Sequence, residues 1–280
     1  MEVILAKSAG FCFGVKRAVD SVYEQIKKGG RIYTFGPIIH NEEVVRMFEN
    51  KGVKVVNSSD DLDTLEKGCV IIRSHGVSEE VYNSILDKGF EIFDATCPFV
   101  KRIHNIVRQE SINGRIIVIV GDAGHPEVEG IKGWSKGETY VVGSEEEIVG
   151  LKDKINKSVC IVSQTTFNHN KFEYFVEVFK KYCYNTDVMV VNTVCNATDE
   201  RQKEAASLAA SVDAMIVIGD SQSSNSRKLY EICKAECDNT YFIQTLKDLH
   251  LELPTNAGLV GITAGASTPN YIIEEVQKNV

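Results

Sequence analysis

The sequence predicts an α/β protein of three similar lobes, each built on a mainly parallel sheet and set around a pseudo-threefold axis as a trefoil. Three observations predict it. Short apolar runs alternate with amphipathic, helix-like segments along the whole chain, the signature of βα units. A cysteine-bearing loop occurs three times, followed each time at one interval by a polar loop. With five prolines in 280 residues and no low-complexity stretch, no segment reads as a flexible tether, so the lobes should pack closely.

In chain order, VILA, RIYTF, CVIIRS, EIFDA, RIIVIVG, TYVVG, VCIVS, VMVVN, AMIVIG, TYFIQ and LVGIT read as strands. They are short, rich in β-branched residues and apolar on both faces, as buried parallel strands are. VKRAVDSVYEQIKKG, VSEEVYNSILDKG, EVEGIKGWS, KFEYFVEVFKKY and SNSRKLYEICKAE carry apolar residues at helical spacing. The repeat appears in the loops between them. Cys12 to His40, Cys97 to His125 and Cys195 to Ser223 are each 28 residues apart, and a second polar loop follows at His75, Thr165 and Ser267. The lobes predicted from this are 1–89, 90–187 and 188–280. Ligands of parallel α/β sheets sit beyond the carboxyl ends of the strands, where helix N-termini converge. If three lobes turn those ends inward, three cysteines and six polar loops share one cavity. The competing reading is a two-domain Rossmann-type protein in which the spacings are coincidence.

The composition, 43% hydrophobic with a formal net charge of −8, allows one sizeable core or several smaller ones and disfavours nucleic-acid or anionic-membrane binding, which needs a basic surface. The opening MEVILAKSAG lacks the basic and long apolar regions of a signal peptide, and no apolar run is long enough to span a bilayer. A cytoplasmic protein with reduced thiols is expected, so its eight cysteines point to metal or catalytic use over disulfides.

Three cysteines distant in sequence fit either a three-thiolate zinc site or an iron–sulfur cluster with three protein ligands. A structural zinc site favours short spacing and four ligands, and neither is present. A cluster with three thiolates keeps one iron open. A helix start beside each of Cys12, Cys97 and Cys195 would favour thiolate. The plainer alternative is three buried core thiols. Cys69 and Cys160 lie inside strand runs and read as core. Cys183 follows a helix, and Cys233 and Cys237, four apart, read as one packing face.

The polar loops offer His40 and Asn41, Ser74 and His75, His125 and Glu127, Thr165, Thr166 and Asn168, Ser223 to Ser226, and Ser267. Hydroxyls, amides and imidazoles at helix starts make an anion site, although Ser224 and Asn225 alone read more readily as helix caps. No phosphate-loop or dinucleotide glycine motif occurs, so a small phosphorylated ligand fits better. Glu127, beside His125, reads as an acid of raised pKa in a dry pocket, or else as a first-turn glutamate favoured by the helix dipole. His104, His169 and His250 fall outside this pattern.

Together GFCFGVKRA, GPIIHN, RSHGV, DATCPFV, GHPEVEG, SQTT, CNATDERQ, SSNS and GITAGAST, in this order from residue 10 to 269, resemble the motifs of the LytB family of 4-hydroxy-3-methylbut-2-enyl diphosphate reductases. The resemblance implies a three-lobed fold around a [4Fe–4S] cluster with three cysteine ligands, Cys12, Cys97 and Cys195, and one open iron. It implies His40, His75, His125, Ser223, Ser224, Asn225 and Ser267 as diphosphate contacts, with Thr166 as a neighbour. Thr165 and Glu127 would handle the substrate hydroxyl and its proton. The implied reaction is the last step of the methylerythritol phosphate route, giving isopentenyl and dimethylallyl diphosphate, with ferredoxin or flavodoxin as electron donor. Two other readings stand beside it: an iron–sulfur dehydratase resembling quinolinate synthase, and a non-enzymatic zinc-stabilised or redox-sensing binding protein.

Overall fold

The computed structural model describes residues 2–184, 186–249 and 258–280, which leaves His250 outside the described residues. In chain order the elements are β1 (Glu2–Leu5), α1 (Phe13–Lys28), β2 (Ile32–Phe35), α2 (Glu42–Glu49), β3 (Lys54–Val56), β4 (Cys69–Ile72), α3 (Glu79–Asp87), β5 (Glu91–Asp94), α4 (Pro98–Ile112), β6 (Ile116–Val120), α5 (Pro126–Lys132) and β7 (Thr139–Val142). They continue as α6 (Glu145–Val149), β8 (Val159–Ser163), α7 (His169–Tyr182), β9 (Val188–Val190), α8 (Asn196–Ala209), β10 (Ala214–Ile218), α9 (Ser224–Glu236), β11 (Thr240–Ile243), β12 (Leu259–Ala264) and α10 (Asn270–Asn279). All eleven segments predicted as strands are strands. The reading passed over β3, α2, α6 and α10. β3 is three residues long and opens on Lys54, so it lacks the unbroken apolar run that marks β9 at the same length. α6 is five residues, but its capping box, Ser144 against Glu147, was a readable signal.

The strands form three parallel four-stranded sheets, ordered β3-β2-β4-β5, β7-β6-β8-β9 and β11-β10-β12-β1. Each runs second, first, third, fourth in the numbering of its own repeat. The strand before each cysteine therefore closes the preceding sheet: β5 pairs with β4, β9 with β8, and β1 with β12. The repeat closes on itself, with the first strand of the chain taking the fourth place of the third sheet.

The chain divides into two compact units. The first, residues 1–23, 37–53 and 196–280, holds the β11-β10-β12-β1 sheet. Its central strand β10 buries Ala214, Ile216 and Ile218 in one cluster with Ile262, Ile272 and Ile273, and Met215 and Val217 in another with Ala205, Leu229 and Cys233. The second unit, residues 24–36 and 54–195, holds the other two sheets. There β6 sends Ile116, Val118 and Val120 to one side with Phe172 and Phe179, and Ile117 and Ile119 to the other with Ile103, Val128 and Ile131. Burial on both faces explains why the inner strands read as continuous apolar runs. The fourth strands lie at edges, and β1, β5 and β9 are accordingly only partly buried.

Within the second unit, α5 lies against the loop after β4. A Cβ on Gly133 would strike Ser78, the N-cap of α3, so only glycine allows that approach. Gly76 has φ +74, and a Cβ there would meet the ring of His104. His104 stacks on Trp134 with ring centroids 5.4 Å apart, and the Trp134 indole N–H donates to the Val77 carbonyl at 2.8 Å. Cys69, Cys160, Cys183, Cys233 and Cys237 are all buried. Among the described residues no helix is long and apolar enough to cross a membrane.

Candidate active site

Each of the three singled-out cysteines stands in the loop after a fourth strand and directly before a helix, α1, α4 or α8. Each makes the same backbone hydrogen bond to the loop after the third strand of that sheet. The Cys97 N–H donates to Ser74 at 2.9 Å, that of Cys195 to Thr165 at 2.9 Å, and that of Cys12 to Ala266 at 3.4 Å. Cys12, Cys97 and Cys195 are half-buried, whereas the other five cysteines are buried.

The polar loops superpose through the same bookkeeping of backbone bonds. After the first strand of each sheet, the N–H groups of Gly36, Gly121 and Gly219 donate to the second strand, at Val56, Val142 and Ile243. Four residues beyond each glycine stands His40, His125 or Ser223. After the third strand, the i→i−3 bonds of Gly76, Phe167 and Thr268 put His75, Thr166 and Ser267 in register. This corrects one detail of the repeat read from sequence. The counterpart of His75 and Ser267 is Thr166, and Thr165 matches Ser74 and Ala266.

In the second unit, the rings of His75 and His125 meet edge to face, centroids 5.4 Å apart. His125 is the N-cap of α5, and its Nδ1 accepts the Glu127 N–H at 3.1 Å, which leaves Nε2 as the donating nitrogen. Glu127 is 2% exposed. Its Oε1 accepts the Thr165 N–H at 2.6 Å, and its Oε2 lies 2.7 Å from the Thr165 hydroxyl. Burial raises the Glu127 pKa, with both Thr165 hydrogen bonds opposing the shift. The Gln164 amide donates to the Thr166 hydroxyl at 3.0 Å. Asn168 is the N-cap of α7.

In the first unit, Asn41 caps α2, and so fixes the chain direction at His40. Ser223, not Ser224 or Asn225, is the N-cap of α9. The capping alternative raised for Ser224 and Asn225 thus belongs to their neighbour, and both residues sit in the first helical turn. The Ser267 hydroxyl reaches that of Ser223 at 3.4 Å. Asn225 is 5% exposed, and its Nδ2 has no hydrogen-bond partner among the described residues. A buried amide donor left open costs free energy unless a ligand accepts from it. Ser226 is wholly buried between Gly219 and Gly265, either of which would collide with it if it carried a Cβ.

Two polar residues went unflagged in the sequence. Asp220 is 3% exposed in the loop before Ser223. Arg201 is buried on α8 and donates to the carbonyls of Gly10 at 2.8 Å and Ala264 at 3.0 Å. A signal for the first existed: GDAGH and GDSQS are the same stretch in two repeats.

The fold and these loops define an α/β protein with three repeats, each bringing a half-buried thiol and two donor-rich loops to the carboxyl end of a parallel sheet. The chain matches the LytB protein family over residues 3–280 and belongs to that family. It is 46% identical over 283 residues to the 4-hydroxy-3-methylbut-2-enyl diphosphate reductase of Caldanaerobacter subterraneus subsp. tengcongensis, covering 100% of this chain and 96% of that one. To the enzyme of the same name from Clostridioides difficile it is 42% identical over 278 residues, covering 99% and 98%. A solved structure of (E)-4-hydroxy-3-methyl-but-2-enyl diphosphate reductase, described as the terminal enzyme of the non-mevalonate pathway, is 42% identical with a TM-score of 0.72, covering 99% of this chain and 98% of that one. The E-1-hydroxy-2-methyl-but-2-enyl-4-diphosphate reductase of Plasmodium falciparum is 28% identical with a TM-score of 0.89, covering 99% and 86%.

Proposed function

We infer that this chain catalyses the reductive dehydroxylation of (E)-4-hydroxy-3-methylbut-2-enyl diphosphate to isopentenyl and dimethylallyl diphosphate. Two electrons and two protons are consumed and one water leaves. The observation that supports it most is the threefold repetition of one cysteine: half-buried, at a helix start, on the same backbone hydrogen bond, while the other five thiols are core.

That donor set fits a [4Fe–4S] cluster held by Cys12, Cys97 and Cys195. It offers three thiols and not four, and each stands directly before a helix. When bound, the cluster supplies the electrons singly and leaves one iron without a protein ligand.

The protein's own residues bind, orient and move protons. His40, His75, His125, Ser223, Ser224, Asn225 and Ser267 hold the diphosphate, with the open Asn225 amide as one donor and Thr166 beside them. Glu127, whose protonated form burial favours, would carry its proton on an oxygen 2.7 Å from Thr165 Oγ1. Thr165 relays that proton to the substrate hydroxyl, which departs as water. A second proton goes to one of the two allylic carbons and decides which product forms. A low-potential ferredoxin or flavodoxin in the cytoplasm delivers the electrons.

The test is anaerobic purification followed by turnover with dithionite-reduced viologen. A brown protein that oxidises the dye only when the allylic diphosphate is added is the expected result. A colourless protein with bound zinc and no dye oxidation overturns the assignment. Turnover without electron consumption would favour a dehydratase.

A further inference from the structure

Asp220 joins two loops that arrive from distant parts of the chain. It follows β10, is 3% exposed, and precedes Ser223. One carboxylate oxygen, Oδ1, accepts the Gln222 N–H at 2.7 Å and shapes its own loop. The other, Oδ2, accepts the Glu42 N–H at 3.1 Å, the first N–H of α2, two residues past His40. The side-chain amide of Gln244 approaches that oxygen at 3.4 Å. A carboxylate at a helix N-terminus is favoured by the dipole, and this one is supplied by a different element of the fold.

We propose that Asp220 is a positioning residue that locks the His40 loop against the Ser223 loop, so that donors from both meet one anion at fixed spacing. The role rests on the reading that these loops hold the diphosphate. It acts through geometry: a buried carboxylate cannot itself bind an anionic group, but it fixes the N–H groups and side chains that do.

Three variants separate the bridge from the local turn. Asp220→Asn keeps the size but leaves one acceptor oxygen, which can serve the Gln222 N–H or the Glu42 N–H and not both. Asp220→Ser can still accept from Gln222 but is too short to reach Glu42. Glu42→Pro removes the donor and leaves Asp220 intact. Proline suits this position, the first of the helix, and Asn41 before it is already extended at φ −160, ψ 109. The probe is inorganic pyrophosphate, titrated calorimetrically into anaerobic protein, with KM, kcat and unfolding midpoint measured alongside.

Each variant should weaken pyrophosphate binding and raise KM about tenfold, the scale of one charge-assisted hydrogen bond, with kcat within about twofold. Asp220→Ser combined with Glu42→Pro should cost no more than either alone, because both remove the same Asp220–Glu42 hydrogen bond. The proposal is overturned if Asp220→Ser binds as wild type does, or if Glu42→Pro has no effect while folded. A fall in kcat at constant KM also overturns it. Failure of the wild type to bind pyrophosphate would sink the reading of the site itself, and the bridge with it. Unchanged binding in the variants beside a binding wild type sinks only the bridge.

Discussion

Both carboxylate oxygens of Glu127 are engaged by one residue, Thr165, whose N–H and hydroxyl lie 2.6 and 2.7 Å away. The pairing joins the first turn of α5 to the loop after β8, next to the edge-on histidines 75 and 125. A carboxyl group buried in this way is costly as an anion, and burial outweighs the two hydrogen bonds in setting its pKa. Burial thus favours the protonated carboxyl, and under the proposed acid role Glu127→Gln should remove the proton and little else. Turnover is expected to fall by about 10²–10⁴, the usual worth of a general acid, with KM little changed. Steady-state rates under anaerobic conditions measure both. A large rise in KM with turnover intact would assign Glu127 to binding.

The same pair sets a pH dependence. The acid must be protonated, so turnover should fall as pH rises through the Glu127 pKa. The Thr165 hydroxyl favours the anion and lowers that pKa. Thr165→Val, similar in shape, should move the alkaline limb of the kcat profile to higher pH while lowering its plateau through loss of the relay. For stability the sign is the same. A folded pKa above the unfolded value contributes stability that is complete at low pH and lost as pH rises through it. A limb moving to lower pH in the Val variant would mean that Glu127 is not the titrating group.

The cysteines divide into two kinds, and the division is testable one residue at a time. Cys12→Ser, Cys97→Ser and Cys195→Ser should each lose iron, colour and turnover together. Cys69→Ser should keep all three, because Cys69 is buried in β4 and burial raises its thiol pKa away from the metal-binding form. Iron analysis and the visible spectrum of anaerobic protein read the outcome. An iron-loaded, active Cys97→Ser protein is incompatible with the three-thiolate site.

Much of this arrangement was legible because the repeat leaves a local trace. Cys12, Cys97 and Cys195 show in the sequence since each lies between an apolar run and an amphipathic one, at the same 28-residue interval from His40, His125 and Ser223. Sheet membership was not legible. That β1 joins β12 depends on a long-range pairing which no window of sequence contains. Asp220 and Arg201 were hidden for another reason: a charged residue after a strand or in a helix usually faces water, and only the folded chain shows these two buried on backbone groups. Thr165 and Thr166 were placed in the right loop, but a one-residue register requires the hydrogen bonds themselves.

His104 supplies a prediction about stability. Its ring is flat against Trp134 and abuts Gly76, the residue after His75. Burial lowers its pKa to about 4, with Asp94 pulling the other way and Lys101 reinforcing the shift. An unfolded histidine titrates near ~6.5, so the folded state resists a proton that the unfolded chain accepts. Here the folded pKa is depressed. The stability held at neutral pH is lost as pH falls from about 6.5 towards about 4, and the difference of the two values corresponds to roughly 3 kcal/mol. Other groups titrate in the same window, so the comparison must be with a variant that keeps a ring but cannot charge. His104→Phe fills that role whatever its absolute stability, because only the slope with pH is compared. Urea unfolding from pH 7 to pH 4 should show the wild type losing about 3 kcal/mol more than the variant. Parallel curves would mean that the imidazole accepts its proton without leaving the stack, and that the loops on either side of it are held by something else.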